Sequence, residues 1–171
     1  IIDLENAINY VKSIDEVDDL PMMLMGFSFG GFSVSNVVGY HDEVKAVVAI
    51  AGWNESLNLI EYKSSQYVGS FSKVLLPFVS LYEKIKYGKY ASFKAMESFS
   101  KTDAKIMIVH SEDDLSVPIE YGYYKYYEKY KSDERFIFKY YTDRGHTGVY
   151  YSDEGRKYYK NFVNQLNDYK I

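Results

Sequence analysis

The chain has 171 residues, 47% of them hydrophobic and 26% charged, with a net charge of −4 and no cysteine. That is enough chain for a single domain with a buried core, and it excludes disulfides and thiolate metal sites. The absence of a basic block argues against nucleic acid or an anionic membrane surface as partner, and no apolar run reaches the length of a membrane span.

In chain order, the apolar positions Leu4, Ala7, Ile8, Val11 and Ile14 recur every three or four residues, which predicts a helix over residues 3–17. After "DDLP", the run "MMLMG" at 22–26 is apolar up to its glycine and reads as a short strand buried on both faces, as in a parallel sheet covered by helices. A helix over 30–38 follows. "VKAVVAIAG" (44–52), "AKIMIVH" (104–110) and "RFIFKYY" (135–141) predict three more strands. A tyrosine-rich segment at 119–131 reads as a helix whose rings cover the core while their hydroxyls stay wet. The last helix, over 152–169, carries Tyr158, Tyr159, Phe162, Val163 and Leu166 at helical spacing. Alternating strands and helices predict an α/β domain with a mostly parallel sheet.

One stretch breaks that rhythm. Residues 53–102 separate the second and third strands, more than one crossover helix needs, and include a predicted helix over 74–87. They read either as an elaborated crossover or as a helical cap or lid over the carboxyl edge of the sheet, where such sheets hold their ligands.

The residues with chemical potential fall at that same edge. Gly26-Phe27-Ser28-Phe29-Gly30-Gly31 lies between a predicted strand and a predicted helix. A G-x-S-x-G pattern alone is weak, but in this setting it describes a sharp turn that lifts a serine hydroxyl clear of the sheet. Glycines at 26 and 30 are expected to remove the collision that bulkier neighbours would cause. The helix start adds partial positive charge where an oxyanion would form.

A serine hydroxyl needs a base. Of the three histidines, His41 sits in a polar connection and reads as a surface residue. His110 closes the third strand and reads as a partner for the turn after it. His146, in "TDRGHTGVY", lies in a glycine-flanked loop past the fourth strand and can reach Ser28. "VHSEDDLSVP" offers Glu112, Asp113 and Asp114 at the same edge. One of them is expected to orient the histidine and the others to be solvated.

With these residues in view, the chain resembles the carboxyl-terminal portion of the α/β-hydrolase fold superfamily of lipases, esterases and serine peptidases. The elbow G-F-S-F-G, an acid turn of the type H-G-x-x-D-x-x-V-P and a late glycine-histidine loop occur in that family's order, from about Leu4 to Phe162. The resemblance implies Ser28 as nucleophile, His146 as base and Asp114 as acid, because Val117 and Pro118 fall in register after it; Asp113 is the runner-up. Ser111 stands where the pattern has glycine. The resemblance also implies the Phe29 backbone N–H as one oxyanion donor, with no cofactor or metal.

Family members have strands and a second oxyanion loop ahead of the elbow, whereas one predicted helix precedes it here. The chain also begins "IIDLEN", without methionine. An N-terminal half or a complementary chain is therefore expected. Losing one oxyanion donor costs roughly 10²–10³ in rate, which places the activity of this chain alone in doubt. The implied function is a serine hydrolase acting through an acyl-enzyme on carboxylic esters or acyl substrates, with peptides and amides as a second class. Trp53, Tyr67, Phe71, Phe78 and Tyr82 are expected to wall an apolar acyl pocket. A reading from a different class is a non-catalytic binding or scaffold module.

Overall fold

In the computed structural model, which describes residues 1–17 and 19–168, four strands lie side by side in sequence order and all run parallel. They are β1 (Met22–Phe27), β2 (Val44–Ile50), β3 (Lys105–Ser111) and β4 (Phe136–Tyr141). The helices are α1 (Ile2–Lys12), α2 (Phe29–Val37), α3 (Ser56–Val68), α4 (Ser72–Tyr87), α5 (Ala95–Phe99), α6 (Tyr123–Tyr130), α7 (Gly145–Tyr151) and α8 (Asp153–Asp168). The fold is α/β, a parallel sheet flanked by helices. No helix among the described residues is long and apolar enough to cross a membrane.

The two central strands explain the layering. In β2, Val47 and Ala49 face one side while Ala46, Val48 and Ile50 face the other; in β3, Ile106 and Ile108 oppose Met107 and Val109. Strands buried on both faces need helices on both faces. The first face packs against Val34 of α2, Phe99 of α5 and Tyr123, Tyr126 and Tyr130 of α6. The second packs against Val149 of α7 and Tyr159 and Phe162 of α8. The tyrosines of α6 divide as its periodicity requires, with Tyr124 and Tyr127 exposed on the outer side.

Four elements differ from the sequence expectation. Residues 145–151 form the helix α7 where the sequence predicts a glycine-flanked loop carrying His146. The first helix stops at Lys12 rather than 17, because the Ser13 hydroxyl donates to the Tyr10 carbonyl at 2.7 Å and the chain turns there. The strand over 22–26 is not buried on both faces. It is the edge of the described sheet, so Leu24 packs toward the core while Met23 and Met25 are 37% and 43% exposed. The tyrosine-rich helix begins at Tyr123, after a tight turn over Ile119–Tyr121. Tyr169, the expected end of the last helix, and the side chain of Leu166 lie outside the described residues.

All four strands run the same way, so the connections after β1, β3 and β4 open at one edge. Ser28, residues 112–118 and residues 142–144 are those connections.

Candidate active site

β1 ends at Phe27 and α2 begins at Phe29, which leaves Ser28 alone to turn the chain. It does so with φ 56° and ψ −117°, a conformation that costs a non-glycine residue about 1–3 kcal/mol. Two backbone hydrogen bonds hold it there. The Ser28 N–H donates to the Ile50 carbonyl at 2.8 Å, and the Ser28 carbonyl accepts from the Phe32 N–H at 2.9 Å.

Close approach between strand and helix supplies the remaining constraint. A Cβ on Gly26 would fall 2.2 Å from the Gly30 carbonyl carbon, and one on Gly31 would fall 2.6 Å from the Ile50 oxygen. A Cβ on Gly30 would meet nothing within 4 Å. The crowded pair is therefore Gly26 and Gly31, not Gly26 and Gly30, because it is the backbone of Gly30 that lies against Gly26.

His146 is the second residue of α7 and follows Gly145, whose φ is 57°. Its Nε2 lies 2.9 Å from Ser28 Oγ, and its Nδ1 lies 2.7 Å from Asp114 Oδ2. The other oxygen of Asp114, Oδ1, accepts from the Ser116 and Val117 N–H groups at 2.8 and 2.9 Å. His110 Nε2 donates to the Val117 carbonyl at 2.8 Å and stands 3.4 Å from Asp114 Oδ2.

Burial falls from the acid outward: the side chain of Asp114 is 0% exposed and that of His146 is 19% exposed. Burial alone would raise the Asp114 pKa. Hydrogen bonds from His110, His146 and the Val117 N–H outweigh it and hold the carboxyl at about 2. An ionised acceptor at Nδ1 keeps the ring proton on that nitrogen and leaves Nε2 to accept from the serine hydroxyl.

A model of the prolyl oligopeptidase family matches residues 1–169. The chain belongs to the prolyl oligopeptidase family. It is similar in fold to the acylaminoacyl peptidase of Pyrococcus horikoshii, with a TM-score of 0.64 at 16% identity over 96% of this chain and 26% of that one. It is also similar to an esterase of Pyrococcus furiosus, with a TM-score of 0.65 at 16% identity over 95% of this chain and 60% of that one. This chain therefore spans about a quarter of the first relative's length and less than two thirds of the second's. Comparison with curated proteins gave no match. Its fold is part of the α/β-hydrolase fold.

Within this family member the other anticipated residues sort unevenly. His110 is the fully buried partner of the acid turn, as expected. His41 is not a surface residue. It is 8% exposed and stands between Glu5 and Glu43, at 3.3 and 3.2 Å, because α1 folds over the start of β2. Glu112 is exposed. Asp113 is exposed but not merely solvated: its Oδ1 accepts from the Ser111 hydroxyl at 2.5 Å and from the Gly145 N–H at 2.7 Å.

Phe29 opens α2, where the first N–H groups of a helix lack intrahelical acceptors. Its ring stands out at 72% exposure with its edge against Trp53. Trp53 is buried and stacks on Phe32, whereas Tyr67, Phe71, Phe78 and Tyr82 point to solvent, at 87%, 58%, 69% and 56% exposure. The cavity beside the elbow, about 390 Å³, is instead lined by Phe29, Phe32, Ser56, Glu83, Tyr87 and Tyr90 among others. The sequence predicts a helix over 74–87 without saying what its apolar residues would pack against.

Proposed function

We propose that this protein is a serine hydrolase working through an acyl-enzyme, with Ser28, His146 and Asp114 as nucleophile, base and orienting acid. The observation that carries this reading is the unbroken chain Asp114–His146–Ser28, at 2.7 and 2.9 Å, on a strained turn. In the first half-reaction Ser28 Oγ attacks the substrate carbonyl while His146 Nε2 takes the hydroxyl proton. The tetrahedral oxyanion is held in part by the Phe29 N–H at the positive end of α2. Collapse breaks the bond to the leaving group, which departs with the proton from His146 and leaves the acyl group on Ser28. Water then adds to the acyl carbon with His146 again as base, and the carboxylic acid is released.

The cavity that starts at Phe29, next in sequence to Ser28, has an aromatic wall of Phe29, Phe32, Tyr87 and Tyr90 beside the carboxylates Asp3 and Glu83, and that aromatic wall favours carboxylic esters and other acyl substrates. Membership of the prolyl oligopeptidase family favours amides as a second class. Residues 53–102, which bring Ser56, Glu83, Tyr87 and Tyr90 to the cavity, are proposed to act as its cap. The test is hydrolysis of p-nitrophenyl acyl esters and of aminoacyl p-nitroanilides by the intact protein and its Ser28→Ala variant. Turnover of either substrate by the wild type, abolished in the variant, is expected. Equal turnover by both proteins, or none by the wild type, would contradict the proposal.

A further inference from the structure

The segment that delivers His146 begins without a cap of its own. Arg144 precedes α7, and no side chain of that segment satisfies the first N–H groups of the helix. The acid loop satisfies them from across the edge. The Arg144 N–H donates to Ser111 Oγ at 3.0 Å, and the Gly145 N–H donates to Asp113 Oδ1 at 2.7 Å. Both acceptors belong to one unit, since the Ser111 hydroxyl itself donates to Asp113 Oδ1 at 2.5 Å. These are the N–H groups of the two residues immediately before His146, and none of the contacts involves Asp114.

We propose that Ser111 and Asp113 form a clamp that positions His146, fixing the backbone that carries the imidazole while Asp114 fixes its ring. The proposal rests on the hydrolase reading for its consequence in catalysis, but not for its geometry. Ser111 is fully buried at the end of β3 and within 3.4 Å of the Tyr141 carbonyl at the end of β4, so the clamp sits on the two strands that launch the two loops. The Ser111 hydroxyl and then the Gly145 N–H hold the Asp113 carboxyl below its usual range, which keeps it an ionised acceptor at neutral pH. Serine in place of the pattern's glycine at 111 is what makes the unit possible here, because glycine offers no hydroxyl to join the two loops. A clamp of this kind acts through orientation, where a displacement of about 1 Å costs up to about 10²-fold in rate.

The test compares wild type with Ser111→Ala, Asp113→Ala and Asp113→Asn in the intact protein. Two readouts are taken: amide hydrogen exchange over residues 142–148, and kcat and KM on the best ester substrate. Both alanine variants are expected to exchange faster over 142–148 and to lose about 10- to 100-fold in kcat, with KM within about twofold. Asp113→Asn keeps an acceptor oxygen and is expected to recover both exchange protection and most of kcat. Unchanged exchange in the alanine variants, or an Asn variant no better than Ala, overturns the clamp. So does a loss confined to KM. If the wild type hydrolyses nothing, the hydrolase reading falls, and the exchange experiment still decides the clamp.

Discussion

At the carboxyl ends of β1, β3 and β4, polar side chains meet specific partners: Ser28 meets His146, His146 meets Asp114, and Asp113 and Ser111 meet the backbone before His146. Along α4, by contrast, Val74, Phe78, Leu81 and Ile85 stand more than half exposed, and the helix rests on α3 and on the turns at its two ends, with Glu83 accepting from the Ser56 hydroxyl. The first region is over-determined by short connections from a sheet buried on both faces. The second is a long excursion whose apolar residues are not consumed by that core. The geometry of the hydrogen-bonded chain is thus set by the sheet and its loops, and residues 53–102 line the cavity without joining that chain.

Substitutions at the two regions should separate accordingly. Ser28→Ala removes the attacking atom and is expected to cut kcat by about 10⁶ with little loss of fold, measured by steady-state kinetics beside circular dichroism. Asp114→Asn is next. It leaves His146 in the wrong tautomer and is expected to lower kcat by about 10⁴.

Asp114 also shapes stability. Its carboxyl is held at about 2 in the folded state, below its unfolded value of 3.8, so its contribution is complete above pH ~4 and is lost as pH falls toward 2. That contribution is about 2 kcal/mol. Acid denaturation of the Asn variant should lack that part of the transition, and an acid limb identical to wild type would contradict the account.

The elbow predicts a contrast between two adjacent-looking glycines. Gly26→Ala places a methyl group into the backbone of Gly30 and is expected to cost about 3 kcal/mol in denaturant unfolding. Gly30→Ala finds open space inside a helix and is expected to be neutral or to stabilise by up to about 1 kcal/mol. Equal effects at both positions would remove the steric argument. Smallest of all, Phe78→Ser on the exposed face of α4 is expected to change stability by no more than about 0.5 kcal/mol. A larger loss would show that α4 is packed and would erase the contrast between the regions.

The strands and most helices were legible in the sequence because their periodicities are local, whereas Asp114 was singled out from Glu112 and Asp113 by the family resemblance alone. What escaped depended on contacts between distant segments. His41 reads as polar and exposed until α1 brings Glu5 over it. Ser111 reads as a small departure from a pattern until the backbone 33 residues later donates to it. Gly31, not Gly30, proved crowded because its neighbour is Ile50 on the next strand. The exposure of Phe78 and Tyr82 escaped too, because a predicted helix over 74–87 does not say what it packs against.

The central claim is that Ser28 is an activated nucleophile. Its most direct test is reaction of the intact protein with a fluorophosphonate, followed by peptide mapping of the adduct. The account predicts a single adduct on Ser28 that forms rapidly in wild type and is lost in the His146→Ala variant. An adduct on another serine, or labelling indifferent to His146, would contradict it.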